Sequence, residues 1–584
     1  MNRKERRAAR RHGQPADARR TESAGDQVSQ LFSEAVACEQ ARKFDNAARA
    51  YESLLQLKPD HAQACNNLGR VMQALGKPQE ASAYFARALV LMPQLLEQQY
   101  AGICATLVAL CPPLGDALRR QAAAWPRRLA KNDLFRNAGL VAIAANPLLL
   151  HLLQSIPVRD VAFEHALTAL RLSLLTDVAN GKPIPDVLVA FGCALAKQCF
   201  INEYVFATTA EEDAQVSRLK SAVAGALGSG ASIAPMQLAV LAMYSPLHAL
   251  LAAQKLLAHP WAPPIDGLIT QQIREPTRER ELRDTIPRLT SIDDEVSRRV
   301  QQQYEENPYP RWIHVAGQVQ AIPLDQYLRD LFPGRGFASL GKTEALDVLV
   351  AGCGTGQIAV ASAQKYLGAR VLALDLSLSS LRYAKRKTPP ALAARIDYAQ
   401  ADILKLASID RRFDMIDASG VLHHMTDPLE GWRILLGLLR PGGFMHLGLY
   451  SETGRNDVVA ARTFIAEHRF DSSPAGIRRC RQELLATPIA SITRFTDFFS
   501  TSECRDLLFH VQESRLTIPQ IKAFIAQNNL RFLGFEFDAV KVAHYRDMFA
   551  EQGWSMSDLD CWHEVETKHT DTFSGMYQFW VQKG

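Results

Sequence analysis

The stretch Leu346–Gln357, LDVLVAGCGTGQ, decides the predicted fold of this chain. Six mostly apolar residues lead directly into three closely spaced glycines, Gly352, Gly354 and Gly356. An apolar run of that length before glycines predicts a buried strand, a tight turn and the start of a helix. The glycines let the backbone pass close beneath a ligand, and the helix N-terminus favours negative charge there.

Similar apolar runs follow, with helix-like sequence between them. The further predicted strands are Ala369–Leu374 before Asp375, a run that ends at Asp402, Phe413–Ser419, and a strand after Pro441-Gly442-Gly443. Alternating strands and helices predict βαβ crossovers and a parallel, doubly wound sheet. Ligands of such sheets bind at the carboxyl ends of the strands.

Acidic residues stand at two of those strand ends. Asp375 lies 23 residues after Gly352, where a carboxylate can accept hydrogen bonds from both vicinal hydroxyls of a ribose. Asp402 can accept a hydrogen bond from an exocyclic amine, and Ile403 offers an apolar face to an aromatic base. Together these residues predict a pocket for an adenosine-bearing cofactor.

Two classes of cofactor use such a pocket, and the glycine spacing separates them. A dinucleotide site has the pattern G-x-G-x-x-G, but Gln357 occupies the place of the third glycine. This departure disfavours a nicotinamide-dependent oxidoreductase. The glycine loop after the first predicted strand also lacks the P-loop lysine followed by serine or threonine, because Gly356 is followed by Gln357 and Ile358.

Residues 346–450 resemble the catalytic core of class I S-adenosylmethionine-dependent methyltransferases. VLVAGCGTGQ is similar to that family's first motif, ALDLS to its acidic second motif, and QADI to its adenine-contacting motif. FDMIDASGVLHHM and LLRPGGFMHLGLY are similar to its fourth-strand and fifth-strand motifs. The resemblance implies S-adenosyl-L-methionine as the cofactor. The cofactor-binding residues that it implies are Gly352, Cys353, Gly354, Gly356, Asp375, Leu376, Asp402, Ile403 and Ser419.

The resemblance also sets expectations for the end of the chain. Leu530–Phe537 and Met576–Gln582 are predicted to be the antiparallel last two strands, which gives a seven-stranded, Rossmann-like sheet. Ile518–Asn528 is predicted to be their companion helix. The methyltransferase domain would then span residues 346–584.

Two segments of this domain are expected to shape the substrate site. A helical insertion at about residues 452–517 is predicted to cap the carboxyl ends of the strands. The loop Glu551–Asp571, which contains Trp554 and Trp562, is a candidate for a further wall.

Methyl transfer needs little chemical assistance from the protein, because the methyl group of a sulfonium is already activated. His423 and His424 follow the fourth strand, where either can act as a general base. The alternative is that this pair packs at the start of the next helix. Tyr309 is a further catalytic candidate. The Asn-Pro-Pro-Tyr tetrapeptide that serves amino methylation of nucleobases or glutamine does not follow the fourth strand.

Composition narrows the classes of protein. The 584 residues allow several domains, and 66 basic against 61 acidic residues give a net charge of +5, too small to demand a nucleic-acid partner. Ten scattered cysteines indicate free thiols in a reducing cytoplasm. The spacing of cysteines and histidines predicts no metal site.

The sequence predicts neither a signal peptide nor a membrane-spanning segment. Met1–Gly13 is basic but lacks an apolar core, and residues 1–25 are predicted to be a disordered tail. Ile233–Leu257 is the most apolar stretch, but it contains Pro246 and several polar residues. A buried helix pair is therefore expected there.

Residues 26–95 contain an internal repeat. Ala47, Tyr51 and Pro59 recur 34 residues later as Ala81, Phe85 and Pro93. This spacing resembles tetratricopeptide repeats, whose helix hairpins form an α-solenoid. Residues 96–290, rich in Ala and Leu, are predicted to be helical and can hold degenerate repeats. The repeats are expected to bind a protein partner or substrate, or else to stabilise the enzyme or a homodimer.

Residues 291–345 join the two regions. The segment QYEENPYPRW is similar to a junction in bacterial proteins that connect tetratricopeptide repeats to a methyltransferase core. A charged helix is predicted before Asn307, followed by a turn. Tyr304, Tyr309 and Trp312 would cover a cationic sulfonium as a lid. The alternative is a plain linker.

The sequence therefore predicts a bacterial, cytoplasmic S-adenosylmethionine-dependent methyltransferase fused to α-helical repeats. A scaffold that binds a partner and senses the cofactor without turnover is the alternative, because the pocket residues indicate binding rather than catalysis. The methyl acceptor is not indicated by the sequence.

Overall fold

The described chain is helical up to the first strand of its sheet. The computed structural model describes residues 16–135, 139–315 and 320–584. The α-helices before the sheet are α1 (Ala16–Gln40), α2 (Phe44–Leu57), α3 (Ala62–Ala74), α4 (Pro78–Leu91), α5 (Gln94–Gln98), α6 (Tyr100–Leu110), α7 (Pro112–Ala124), α8 (Lys131–Phe135), α9 (Gly139–Ala144), α10 (Pro147–Ser155), α11 (Val161–Ala179), α12 (Asp186–Ile201), α13 (Ala210–Ser229), α14 (Pro235–Ala242), α15 (Pro263–Ile269), α16 (Glu275–Glu281), α17 (Glu295–Glu306) and α18 (Leu324–Leu331).

The chain divides into two compact units. The first contains the described parts of residues 1–156, 165–173 and 184–194. The second contains residues 157–164, 174–183 and the described parts of 195–584. The repeats lie in the first unit and the sheet lies in the second.

Helices α2, α3 and α4 pack as the predicted repeats. Ala47 and Tyr51 of α2 are fully buried, and the Tyr51 hydroxyl accepts a hydrogen bond from Asn67 Nδ2 of α3 (3.0 Å). A Cβ atom at Gly69 would lie 2.9 Å from the ring of Phe85 in α4. The small residue thus lets the large one approach, as the repeat pattern requires.

The amino-terminal tail differs from its prediction in part. Helix α1 begins at Ala16, so residues 16–25 are helical where a disordered tail over residues 1–25 was expected. Alanine and arginine, which are good helix formers, open this segment. The first part of the predicted tail, residues 1–15, lies outside the described residues. Within residues 96–290, the described parts of the chain contain helices α6 to α16.

The apolar stretch Ile233–Leu257 is not the helix pair that was expected. It contains one α-helix, α14, followed by the 3₁₀ turns Leu247–Ala249 and Ala253–Ala258. Pro246 precedes the first turn, and proline cannot continue a helix through its own position. Further on, the π-helical segment Thr270–Arg274 joins α15 to α16.

The junction before the sheet forms as predicted up to its turn. Asp294 caps α17, because its Oδ2 accepts a hydrogen bond from Ser297 N (2.8 Å). The helix ends at Glu306, and Asn307 is its C-cap. Val300 and Gln303 form the buried face of this otherwise charged helix.

Seven strands alternate with the remaining helices. The elements are β1 (Leu346–Ala351), α19 (Gln357–Lys365), β2 (Ala369–Asp375), α20 (Leu378–Lys387), β3 (Ile396–Gln400), β4 (Phe413–Ser419), α21 (Pro428–Leu438), β5 (Leu439–Leu449), α22 (Asn456–Glu467), α23 (Pro474–Leu484), α24 (Thr501–Phe509), α25 (Ile518–Gln527), β6 (Leu530–Phe535), α26 (Ala539–Glu551), α27 (Leu559–Lys568) and β7 (Tyr577–Lys583). The spatial order is β3-β2-β1-β4-β5-β7-β6. Strands β1 to β5 pair in parallel, and β7 is antiparallel to both its neighbours. The predicted seven-stranded doubly wound sheet is confirmed.

Five strands have boundaries that differ from the prediction by one residue or more: β2, β3, β5, β6 and β7. Strand β3 ends at Gln400 because Asp402 caps the following 3₁₀ turn, its Oδ1 accepting from Leu404 N (3.0 Å). Strand β5 begins at Leu439, before the Pro441-Gly442-Gly443 turn, and the register with β4 shifts at this point. Among the strand ends that position the site, that of β3 lies two residues earlier than predicted and that of β2 lies one residue later.

The insertion after β5 is helical, as predicted. Helices α22, α23 and α24 have their own apolar core, which includes the fully buried Ile477 and Phe498. Arg481 is also fully buried and pairs with Glu164 (Nη2 to Oε2, 2.8 Å). A buried charge is tolerated only when it is paired in this way.

The loop Glu551–Asp571 does not form the second substrate wall that was expected. It contains α27, and Trp562 in this helix is fully buried. The Trp562 ring packs 4.6 Å from the ring of Phe549 (centroid to centroid), within the main core of the sheet. The large apolar area of tryptophan favours the core over the rim of a pocket.

Within the described residues, no single helix has both the length and the apolar composition of a membrane span. The consecutive helices α6 and α7 reach these values only as a pair, and they are bent by 109°.

Candidate functional site

A cavity of about 270 Å³ lies at the carboxyl ends of β1, β2, β3 and β4. Helix α17 and the turn after it close one side. Of the predicted cofactor-binding residues, all except Gly356 line this cavity. The lining includes Ser297, Tyr304, Tyr309, Gly352, Cys353, Gly354, Asp375, Leu376, Asp402, Ile403, Ser419 and His424.

The loop after β1 has no room for a side chain at Gly352 or Gly354. Gly352 and Gly354 have φ angles of +72° and +51°, which residues with a Cβ atom rarely adopt. A Cβ atom at Gly352 would lie 2.3 Å from Val421 Cγ2, and one at Gly354 would lie 2.6 Å from the carbonyl oxygen of Tyr309. The backbone therefore forms the floor of the cavity.

The other two residues of this loop have different surroundings. Gly356 is the N-cap of α19, and a Cβ atom there would lie 2.6 Å from Ala384 Cβ, so this glycine serves the packing of α20 rather than the cavity. Cys353 does line the cavity. Burial raises the pKa of its thiol well above the usual range, which keeps it uncharged at neutral pH.

Asp375 ties the glycine loop to the start of α20. Its Oδ2 accepts from Gly354 N (2.8 Å) and its Oδ1 accepts from Ser377 N (2.8 Å). Burial raises the pKa of Asp375 to about 6, although these two N–H groups act against the rise. A carboxylate offers about four acceptor directions, so Asp375 retains acceptor capacity toward the cavity. Glu305, whose charge adds to the rise, accepts from the backbone N–H of Ser379 in α20 (3.1 Å).

One carboxylate oxygen of Asp402 has no hydrogen-bond donor among the described residues. Its Oδ1 is used by Leu404 N, but its Oδ2 is buried and has no hydrogen-bond partner among the described residues. Burial raises the pKa of this carboxyl, and the Leu404 N–H and the nearby Ser297 hydroxyl oppose the rise. A buried acceptor without a donor is costly, so the site favours a ligand that brings one. The apolar side chain of Ile403 lines the cavity beside it.

Ser419 and Leu376 are held by polar contacts behind the cavity. Ser419 N donates to Asp417 Oδ1 (3.0 Å), and the Ser419 hydroxyl lies 3.1 Å from His446 Nδ1. Burial alone would lower the pKa of His446, but the nearby Asp417 outweighs it and the pKa is raised. The Leu376 carbonyl accepts from Gln400 Nε2 (2.8 Å).

The junction aromatics divide into two groups. Tyr304 and Tyr309 line the cavity, and the Tyr309 hydroxyl donates to Asp497 Oδ1 (3.0 Å). Burial raises the pKa of both phenols well above the usual range, so Tyr309 is a donor and not a base at neutral pH. Trp312 does not line the cavity as expected. Its Nε1 donates to the Thr355 carbonyl (2.9 Å), which places it behind the glycine loop.

The two histidines after β4 point in different directions. His424 lines the cavity, whereas His423 does not and stacks on Tyr450 at 3.5 Å between ring centroids. Burial lowers the pKa of His424 to about 4. The His424 ring is thus neutral at physiological pH. Its Nδ1 faces the Gln512 carbonyl oxygen at 3.0 Å and must carry the hydrogen, which leaves the Nε2 lone pair free.

That lone pair faces the carboxylate of Asp506. His424 Nε2 lies 3.9 Å from Asp506 Oδ1, and the Tyr304 hydroxyl donates to the same oxygen (2.5 Å). Burial raises the pKa of Asp506 to about 6, while the Tyr304 hydroxyl opposes the rise. Two acceptors that face each other at this distance repel unless a proton or a cation lies between them. The arrangement is therefore suited to receive a proton.

The fold also brings together three potential metal ligands that the spacing along the chain did not indicate. They are His424, Asp506 and His510, all of which are buried. However, His510 Nδ1 accepts a hydrogen bond from Gln512 N (3.1 Å), so the hydrogen of the neutral ring is on Nε2. That Nε2 faces the Tyr304 hydroxyl at 3.2 Å as a donor, and it has no lone pair for a metal. The geometry favours proton transfer over metal binding.

Comparison with known proteins agrees with this geometry. Residues 349–447 match a family model described as a methyltransferase domain. Residues 40–107 match a model described as a tetratricopeptide repeat.

Individual relatives cover parts of the chain. An uncharacterized protein of Synechococcus sp. is 30% identical over 34% of this chain and 49% of its own length. A ubiquinone biosynthesis O-methyltransferase of Coxiella burnetii is 30% identical over 28% of this chain and 67% of its own length. The chain spans about half the length of several relatives, such as 57% of the Leptothrix cholodnii enzyme of the same name. The structure of PKMT2 from Rickettsia typhi in complex with AdoHcy is 19% identical over 44% of this chain and 52% of that chain, with a TM-score of 0.34.

Proposed function

Because this chain belongs to the S-adenosylmethionine-dependent methyltransferases and joins that domain to tetratricopeptide repeats, we propose that it methylates an acceptor that must lose a proton. The observation that carries the cofactor assignment is the unmet Oδ2 of Asp402 at the end of β3. An adenine amine supplies the donor that this buried acceptor lacks.

The remaining walls suit the other parts of an adenosyl ligand. The free acceptor capacity of Asp375 fits the hydroxyls of a ribose, and Ile403 gives the base an apolar surface. The floor formed by Gly352 and Gly354 lets the ligand approach the backbone. Cys353, Leu376 and Ser419 complete the lining, whereas Gly356 contributes only through packing.

Tyr304 and Tyr309 suit the charged part of the cofactor. S-Adenosylmethionine supplies a methyl group on a positively charged sulfur, and aromatic faces attract cations. Both rings line the cavity and are held by hydrogen bonds from their hydroxyls to the carboxylates of Asp506 and Asp497. This anchoring keeps the rings in place, and their bulk excludes water from the site.

His424 and Asp506 supply the place for the acceptor's proton. A hydroxyl or an ammonium group must lose its proton to become a good nucleophile. The neutral His424 ring lines the cavity, and its Nε2 lies 3.9 Å from Asp506 Oδ1. Because the pKa of Asp506 is raised to about 6 and that of His424 is lowered to about 4, the Asp506 carboxylate takes the larger share of a proton that reaches this pair. The relatives named as O-methyltransferases are consistent with an oxygen acceptor. A catalytic role is therefore favoured over a cofactor-sensing scaffold.

The repeats supply a separate binding surface for a polypeptide. Their helices belong to the first compact unit, whereas the cavity lies wholly in the second. Helical repeats commonly present an extended surface to another protein. Leu57 and Val90, which are 48% and 60% exposed, offer apolar contacts on this unit. The repeats would therefore recruit the acceptor or its carrier protein.

Transfer of labelled methyl groups tests the proposal. The full chain is incubated with S-adenosylmethionine labelled on the methyl carbon and with a cell lysate, which is then separated into protein, nucleic acid and small molecules. We expect enzyme-dependent label in one fraction, and much less label with Asp402→Asn when the cofactor concentration is below saturation. A lysate that never acquires label from a chain that binds the cofactor would favour the scaffold.

A further inference from the structure

A second cavity, of about 410 Å³, lies within the second unit and shares no lining residue with the cofactor cavity. Its walls come from the end of α12 and the residues after it, the π-helical segment with α16, the residues after α17, and α20. Its volume falls in the range of about 300–1,000 Å³ that is typical of small-molecule pockets. We name it the arginine cavity, after Arg280, Arg311, Arg382 and Arg386 in its lining.

The lining contains several polar atoms with no internal partner. Tyr204 Oη, Gln271 Oε1 and Arg382 Nε are each buried without a hydrogen bond among the described residues. Folded proteins rarely leave buried polar atoms unpaired unless water, an ion or a ligand completes them. Three such atoms in one cavity indicate a ligand that brings both acceptors and donors.

The backbone around this cavity is also held in unusual conformations. Glu203 and Tyr204 are consecutive non-glycine residues with φ angles of +55° and +60°. Thr501 Oγ1 donates to the Glu203 carbonyl (2.8 Å), and Ser502 N donates to Glu203 Oε2 (2.6 Å), which fixes this turn. Gln271 lies in the π-helical segment. Both left-handed residues and π-segments occur often at functional sites.

The unpaired charge in the lining is positive. Its glutamates are all paired, Glu203 with Arg311 (3.2 Å), and Glu275 and Glu279 with Arg386 (3.0 and 2.8 Å). The other two arginines, Arg280 and Arg382, have no carboxylate partner within the described chain. Burial lowers the pKa of His248 in the same lining, and Arg280 and Arg311 lower it further.

We propose that the arginine cavity binds a small organic anion. Its carboxylate or phosphate accepts hydrogen bonds from the guanidinium of Arg382 and from the hydroxyl of Tyr204. Guanidinium groups match the planar geometry of such oxyanions and carry donors in a fixed arrangement. The apolar body of the ligand lies along Phe200, which lines the cavity next to Tyr204. This site is separate from the cofactor cavity and independent of the methyl acceptor.

Binding of two simple anions tests the proposal. Sodium benzoate is followed by the broadening of its ring-proton NMR signals, and sodium phosphate by its ³¹P signal, with the full chain and with sodium chloride at equal ionic strength. We expect saturable binding of at least one of these anions. Arg382→Gln should weaken it at least tenfold and Tyr204→Phe at least threefold. Arg299→Gln, an exposed arginine outside both cavities, is the matched control and should change nothing.

The pattern of binding identifies the ligand class. Binding of benzoate alone supports a carboxylate on an aromatic body, and binding of phosphate alone supports a phosphorylated ligand. Calorimetry with S-adenosylhomocysteine on each variant shows that the fold and the cofactor cavity are intact. No saturable binding of either anion, or binding that persists unchanged in both Arg382→Gln and Tyr204→Phe, would overturn the proposal.

Discussion

Replacing Asp402 by asparagine should remove the adenine contact and leave the local fold intact. In the native chain Oδ1 caps the turn by accepting from Leu404 N (3.0 Å), and Oδ2 has no partner among the described residues. The carbonyl oxygen of an asparagine can keep the cap, which is worth about 0.5–2 kcal/mol. Its amide nitrogen then takes the place of Oδ2, where it faces the adenine amine donor with a donor of its own.

The size of the effect follows from the lost hydrogen bond. A hydrogen bond to a charged group contributes about 1.5–3 kcal/mol. The affinity for S-adenosylhomocysteine should therefore fall about tenfold to 150-fold. Isothermal titration calorimetry measures this loss of affinity, and an unchanged melting temperature shows that the hydrogen bond to Leu404 N is kept. Asp397→Asn, at an exposed position of β3, the strand that precedes Asp402, is the matched control and should bind normally.

A second ligand distinguishes the loss of the adenine contact from a general distortion of the site. S-Inosylhomocysteine carries a carbonyl oxygen where adenine has its amine, so it should bind Asp402→Asn at least as well as S-adenosylhomocysteine does. An Asp402→Asn variant that binds S-adenosylhomocysteine within twofold of the native chain would refute the role of Asp402.

Three further outcomes are expected. Because the pKa of Asp375 is raised to about 6, its carboxylate is ionised above that pH and protonated below it. The affinity for S-adenosylhomocysteine should thus fall about tenfold between pH 7 and pH 5 and fall much less in Asp375→Asn, and a flat native profile would contradict this role. Tyr309→Leu should weaken the binding of S-adenosylmethionine by about 1–2 kcal/mol, or fivefold to thirtyfold. The binding of S-adenosylhomocysteine, whose sulfur carries no charge, should weaken much less. Equal losses of affinity for the two ligands, measured by calorimetry, would contradict the cation contact. In the labelled-transfer assay, His424→Gln should lower kcat about 100-fold at unchanged cofactor affinity, and Asp506→Asn should move the acidic limb of the pH–rate profile below pH 6. A full rate in His424→Gln would assign proton removal to another group.

The cofactor cavity could be predicted from the sequence because its parts follow consecutive strands. The glycines after β1, Asp375 at the end of β2 and Asp402 after β3 each lie next to a run of buried apolar residues. Parallel strands bring their carboxyl ends to one edge of a sheet, so order along the chain was sufficient to place them together. Ser419, the last residue of β4, follows the same rule.

Side chains from distant segments could not be placed in this way. Asp506 and His510 lie on one face at the end of α24, four positions apart, which is the only sign of a shared role in the sequence. Their contact with Tyr304 and His424 depends on how the insertion folds over the sheet, and apolar periodicity does not determine that packing. The role of Glu305 at the start of α20 was missed for the same reason.

Errors about aromatic residues have a different cause. Trp312 was expected in a lid over the cationic sulfonium, and Trp562 was expected in a further wall of the substrate site. Both are buried, Trp312 against the glycine loop and Trp562 in the core of the sheet. Sequence position alone does not show whether an aromatic ring faces a ligand or the interior, since burial of its large apolar surface is favourable in both environments.

Calorimetric titration of the full chain with S-adenosylhomocysteine and, separately, with NAD tests the central claim most directly. The claim is that the cavity at the carboxyl ends of β1 to β4 is built for an adenosyl sulfur cofactor and not for a dinucleotide. We predict saturable one-to-one binding of S-adenosylhomocysteine and no heat above dilution with NAD. Tighter binding of NAD, or no binding of S-adenosylhomocysteine, would contradict the account.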